Sequence, residues 1–242
     1  MKVSFASFLA FISITFASEL PSDVNPTTRS TYNFAIDTAN QGTLAAFKCI
    51  YNLGYKTSFI QVYNPTNSGS VSQYGNQNVV ASSEAGLGTE IYVTPSPSGK
   101  PAYQQFDEAY NSVRSYGINV VKIWLQRLSL ERSYGVAVGI YTNWYQWLLI
   151  TGNTIQFANT VDLWYWDAYG TGGSAEGIAD FSDFRNFGGW SKASIKQFAL
   201  NEALCGIWIN RSIYAPSALK KEPILLKDSV NSTFKYNVGG FV

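Results

Sequence analysis

The chain has 242 residues, 17 Lys and Arg against 16 Asp and Glu, a formal net charge of +1 and no histidine. That balance leaves no basic stripe with interleaved aromatics for nucleic acid, and the missing histidine excludes Ser-His-Asp and Cys-His catalysis and every His-ligated metal. Carboxylates, Tyr, Lys and backbone groups remain as candidate catalysts, and neither a metal nor a cofactor is expected.

The first residues read as an export signal: Lys2, an apolar run from Phe5 to Phe16, then Thr15-Phe16-Ala17 as a small-x-small cleavage site. Residues 1–17 are therefore expected to be a signal peptide and the mature protein to be secreted and extracellular. The apolar run is too short to span a bilayer, and no later segment reaches the required length, so no membrane anchor is expected. A polar lead-in covers residues 18–30, and the remainder is enough for one core.

From there short β-type runs alternate with helical patterns, which predicts βα units and a parallel sheet. Strands are expected near residues 33–37, 57–63, 90–93, 120–125, 136–142, 162–166, 195–198 and 206–209. Eight strands suit a closed barrel. Helices are expected over 43–52, 71–85, 102–116 and 143–150, each stopping at or near a glycine (Gly54, Gly86, Gly117, Gly152). The later strands are joined by loops, with Gly170 to Gly177 the most flexible. Aromatics make up 16% of the chain and charged residues 14%. Flat rings suit stacking on sugar faces, although the same residues commonly fill cores and rims.

Several stretches carry a resemblance: Tyr32-Asn-Phe-Ala-Ile-Asp37, Phe47-Lys-Cys-Ile50 with Asn52-Leu-Gly-Tyr55, Ile123-Trp-Leu125, Val138-Gly-Ile-Tyr-Thr-Asn143, Leu163-Trp-Tyr165, Asp183-Phe184 with Phe187-Gly-Gly-Trp190, and Ile195-Lys-Gln-Phe198 with Cys205-Gly206. In order and spacing they resemble the lysozymes of glycoside hydrolase family 25, particularly the lysozyme-like proteins of nematodes. The resemblance implies an α/β fold, an irregular and partly uncovered TIM-like barrel over residues 31–214, followed by a C-terminal extension over 215–242. In that extension Ile224-Leu225-Leu226 is the obvious docking point. One connection is short: ten residues, Gln126 to Gly135, separate two strands that a helical crossover of a dozen or more would join. Family members are longer there, so most of the helix between the fourth and fifth strands is read as deleted, in evolution or through a misplaced exon boundary.

The resemblance also implies four acids at the C-terminal mouth of the barrel. Asp37 matches the first, the alternative being an Asp that caps the following loop. Gln126 and Leu128 stand at an Asp-x-Glu pair, and Asn210, or Trp208 after a shift, stands at the last. Glycoside hydrolysis needs a proton donor and an ionised partner, and none of these three replacements supplies one. Glu131 and Asp167 are the acids placed to compensate. Tyr63, Tyr141, Trp144, Trp164 and Trp166 are expected to line a glycan groove. Cys49 and Cys205 in an exported chain are read as one disulfide, the alternative being two buried thiols. Asn210 and Asn231 head glycosylation sequons, the tail one being less obstructive. The expected function is that of a secreted, monomeric, lysozyme-like protein acting on peptidoglycan in innate defence or digestion, with hydrolysis weak or lost. A non-catalytic glycan-binding or signalling pseudoenzyme and a truncated, poorly folded product stand as alternatives.

Overall fold

A computed structural model describes residues 32–126, 134–216 and 234–241. In chain order the first half runs β1 (Asn33–Thr38), α1 (Leu44–Asn52), β2 (Thr57–Asn64), β3 (Ser70–Val71), α2 (Gly75–Glu84), β4 (Gly88–Val93), α3 (Ala102–Ser115), β5 (Ile118–Val120) and β6 (Lys122–Leu125). The second half runs β7 (Ala137–Thr142), α4 (Trp144–Thr151), β8 (Asp162–Trp166), β9 (Ile195–Leu204), β10 (Ile207–Tyr214) and β11 (Tyr236–Val238).

Eight strands pair in the order β1, β10, β9, β8, β7, β6, β4, β2, and β2 returns to β1 in parallel, closing the barrel. Seven strands run parallel, and β10 is antiparallel to both neighbours. The barrel is therefore mixed, where the alternating pattern predicted parallel units throughout. The cause lies in Cys205-Gly206, whose φ angles of 52° and 81° form a two-residue turn with the twist that suits a hairpin. That turn lets β9 and β10 run well past the limits predicted for them.

Local signals explain the helices. Thr43 caps α1 by accepting from the Ala46 amide at 3.1 Å, and Asn143 caps α4 by accepting from Gln146 at 2.9 Å. Gly152 ends α4 with φ of 64°, as the sequence suggested. The second helix starts at Gly75 rather than Val71, because Ser70 and Val71 instead pair with the end of β2.

The barrel interior is packed by aromatics: Phe59, Tyr92, Trp124 and Trp164 with Ala35, Ile195 and Tyr214. A β-carbon on Gly139 would lie 2.2 Å from the Trp124 ring, so the bare backbone of β7 is what admits that indole. Outside, α1, α2 and α3 cover β1, β2, β4 and β6. α4 and a loop bearing Phe187 and Trp190 cover β7 and β8. Among the described residues no α-helix follows α4, so β9 and β10 are covered by loop residues such as Phe181. Residues 127–133, where the shortened crossover was expected, lie outside the described residues, although β6 and β7 pair directly in parallel. No described helix is long and apolar enough to cross a membrane.

The described part of the tail docks through β11, a segment the sequence did not single out. β11 adds to β5 in parallel, Val238 is fully buried, and the Phe241 amide donates to the carboxylate of Glu90 on the barrel floor at 2.7 Å. Ile224 to Leu226 lie outside the described residues. Cys49 on α1 and Cys205 at the hairpin turn form a disulfide, as read from the sequence.

Candidate active site

Side chains alternate in and out along each strand, so the parity set by the packed interior fixes what reaches the mouth. Continuing from Ala35, Phe59, Tyr92, Trp124, Trp164 and Ile195 by two residues gives Asp37, Gln61, Thr94, Gln126, Trp166 and Gln197. Tyr141 from β7 and Asn210 from β10 complete a layer of eight, one per strand.

Hydrogen bonds tie this layer into two runs. Gln61 donates to the Thr94 hydroxyl at 3.0 Å, and Thr94 donates to Gln126 Oε1 at 2.6 Å. Opposite them, Tyr141 donates to Gln197 Oε1 at 2.6 Å, and Gln197 Nε2 donates to Asp37 Oδ1 at 2.6 Å. Asn210 Nδ2 donates to the other oxygen, Asp37 Oδ2, at 2.7 Å. Trp166 turns its indole N–H to Gln146 of α4 at 3.1 Å.

Asp37 is the single carboxylate in this layer and is 1% exposed. Burial pushes its carboxyl up to about 6, against the opposing pull of the Gln197 and Asn210 amides. Burial and the neighbouring Asp37 charge hold the phenols of Tyr92 and Tyr141 well above their ordinary value. Among the described residues the mouth thus contains one group able to take or give a proton near neutral pH, surrounded by amides and phenols that hydrogen-bond without cycling protons.

The structure settles which residue of the last strand faces Asp37. Asn210 is its register partner, whereas Trp208 is half exposed and contributes only its backbone carbonyl, to Thr38 and Asn40. The amide nitrogen of Asn210 is engaged with Asp37 and its Oδ1 accepts from the Asn201 amide, so a glycan at this sequon would have to displace the Asp37 contact. Leu128, Glu131 and Asn231 lie outside the described residues. Asp167 follows Trp166 with opposite parity and lies in a cleft on the outer flank with Trp144, Ser182, Asp183 and Arg185, away from the Asp37 hydrogen-bond network.

The aromatic residues divide. Tyr141 and Trp166 belong to the mouth, and Trp144 is 42% exposed on its rim. Tyr63 and Trp164 present no face to solvent: both are fully buried, Tyr63 bonded to Glu108 at 2.7 Å and Trp164 to Ser212 at 3.3 Å. Gln197, Gln61 and Thr94 were not singled out in the sequence. A glutamine sharing the inward parity of Ile195 in the Ile195-Lys-Gln-Phe198 strand was the available signal.

The Lysozyme-like protein 1 family model matches residues 28–131 and 128–198 of this chain, more than half its length. Lysozyme-like protein 7 of Caenorhabditis elegans is 37% identical over 90% of the chain and 82% of its own length. The chain belongs to the lysozyme-like family. Lysozyme-like protein 2 of the same nematode is 35% identical over 96% of the chain and 90% of its own length. A probable family 25 lysozyme of Dictyostelium discoideum is 26% identical over 74% of the chain and 89% of its own length. Among solved structures, the lysozyme of Streptomyces coelicolor superposes with a TM-score of 0.57 at 17% identity, over 75% of this chain and 91% of that one. At that identity it speaks for the fold alone, the TIM-like barrel of glycoside hydrolase family 25. The two stretches matched by the family model meet at residues 128–131, inside the connection between β6 and β7.

Proposed function

We propose that this member of the lysozyme-like family is secreted and binds the glycan of bacterial cell walls, in defence or digestion, with the muramidase reaction weak or lost. The observation that carries the reading is the mouth layer itself, in which Asp37 is the one carboxylate and Gln126 and Asn210 occupy the positions where the family resemblance puts acids. Cleaving a glycosidic bond takes a protonated group at the leaving oxygen and a second group to attack or to activate the attacking species. Asp37 alone fills one of these roles. Because catalytic groups act as a unit, removing partners forfeits nearly all of the rate.

The reading that the crossover helix between β6 and β7 has been lost is supported by the family match breaking at residues 128–131. Sequencing the transcript across residues 126–134 tests it, since a restored exon would return the helix and show whether the acids at 126 and 128 are truly absent.

Purified protein added to Gram-positive wall suspensions tests the function. Sedimentation with insoluble peptidoglycan, without clearing of the suspension and without release of reducing sugar from about pH 4 to 8, is the expected result. Release of reducing sugar that is abolished by Asp37→Asn would overturn the loss of activity and direct attention to Glu131. Failure to sediment with the wall would leave the truncated product as the better reading.

A further inference from the structure

The cleft on the outer flank of the mouth is unused by the Asp37 network. It encloses about 400 Å³ between the start of α4, the end of β8 and the loop over 182–185, and is lined by Trp144, Tyr165, Asp167, Asp183, Phe184 and Arg185, with Ser182 at its edge. Its charges are opposite and apart: among the described residues Arg185 has neither a hydrogen bond nor an ion pair, and the Asp167 carboxylate accepts only a long bond from the Tyr165 hydroxyl at 3.4 Å. Opposite charges in one cleft that do not pair with each other are spaced for a ligand that carries both.

The cleft is also preformed. Lys196 on β9 is fully buried and donates to the Asp183 carboxylate and to the carbonyls of Ile178 and Asp180, the last two at 2.7 and 2.9 Å. Asp180 in turn accepts from the Ser182 amide and hydroxyl at 2.8 and 2.6 Å, fixing the turn that presents Arg185. A cation therefore already neutralises Asp183, which leaves Asp167 as the cleft carboxylate with no cationic partner among the described residues. The exposed Trp144 ring offers a flat apolar wall for an aliphatic chain that carries the charges.

We propose that this cleft binds a zwitterionic amino-acid group, an ammonium and a carboxylate on one carbon, with the ammonium at Asp167 and the carboxylate at Arg185. In the wall polymer that chemistry belongs to the diamino acid of the peptide branches, not to the sugars. The assignment thus rests on the wall-binding reading for its natural ligand and adds a peptide subsite to it.

Isothermal titration calorimetry with a synthetic wall tripeptide ending in meso-diaminopimelate, and separately with chitotetraose, tests the assignment on the intact chain. The tripeptide should bind, and Asp167→Asn and Arg185→Gln should each weaken it roughly tenfold or more. Chitotetraose binding and the melting temperature should be unchanged. No binding of the tripeptide to the wild type, or binding indifferent to both substitutions, overturns the proposal. Chitotetraose binding that is lost in both variants also overturns it and makes the cleft a sugar subsite. Sedimentation with intact wall separates the two readings: wall bound without tripeptide sinks the cleft assignment alone. Tripeptide bound through Asp167 and Arg185 without wall sinks the wall-binding function and leaves the cleft standing.

Discussion

Asn210 and Asp37 face each other across the antiparallel pair of β10 and β1, and the amide of the first donates to Oδ2 of the second at 2.7 Å. The contact places a neutral donor where the family resemblance puts a second acid. It also makes Asp37 a well-satisfied buried carboxylate, with Gln197 holding its other oxygen. Amide donors stabilise the ionised form and burial opposes it, and burial is the larger effect here. A residue that is useful in a pair of acids is thus retained in a surround that holds a single one in place.

Replacing Asn210 by Asp should therefore not restore activity by itself. At neutral pH it sets two carboxylates within hydrogen-bond distance and removes a donor, which should cost about 1 to 3 kcal/mol of stability. As pH falls through about 6, where Asp37 already takes up a proton in the wild type, one shared proton can bridge the pair, so the deficit should shrink. Thermal melts of wild type and Asn210→Asp across pH check both statements, and a deficit that does not change with pH would show that the two groups do not interact.

Asp37 also gives the wild type a specific pH dependence. Its folded carboxyl lies at about 6, above the ordinary 3.8, so the native state holds the proton more tightly than the unfolded chain. The resulting stability is complete below the unfolded value and is lost as pH rises through the folded one. Two units correspond to roughly 2 to 3 kcal/mol. Asp37→Asn lacks this titration, so the stability of wild type relative to the variant should fall by about that amount between roughly pH 4 and pH 7. Urea denaturation of both proteins at several pH values measures the difference. Parallel curves would mean that the carboxyl titrates alike in the folded and unfolded chain.

The disulfide joins residues 156 apart, linking α1 to the tip of the β9–β10 hairpin. Cross-linking over so long a loop mainly restricts the unfolded chain, and Cys49→Ser with Cys205→Ser should lower stability by roughly 2 to 4 kcal/mol. Denaturant midpoints of oxidised, reduced and doubly substituted protein give the value. Equal midpoints would show that the bond contributes nothing to the equilibrium.

Much of the barrel was legible because its strands are apolar runs bounded by glycines. The hairpin was not: Cys205-Gly206 looks like the entry to a strand unless the pair is recognised as a turn with positive φ at both positions. β11 escaped notice because Tyr236-Asn-Val238 is too short to show a period and gains its strand character from the exposed edge of β5. At the site, Asp37, Gln126, Tyr141, Trp166 and Asn210 were legible from motif and position. Tyr63 and Trp164 were misplaced because nearness to a strand end does not say which way a side chain points. Parity says so, and it requires knowing which residues fill the interior. The Asp167 cleft was illegible for another reason, since α4, β8 and the loop over 182–185 meet only in the folded chain.

Trp166 and Trp164, two residues apart on β8, separate a binding ring from a packing ring. Trp164 is fully buried among Phe59, Tyr92, Trp124 and Tyr141, and its truncation should cost about 3 to 5 kcal/mol of stability. Trp166 lies one layer higher, only partly buried, with its indole N–H on Gln146. If it stacks on wall glycan, Trp166→Ala should weaken binding by roughly 1 to 3 kcal/mol, the scale of other flat ligands on aromatic side chains. The melting temperature should fall far less than in Trp164→Ala. Wall sedimentation scored per folded molecule, with melts of both variants, decides between the roles. A large loss of stability with wild-type binding for Trp166→Ala would place this ring with the core and the glycan elsewhere on the rim.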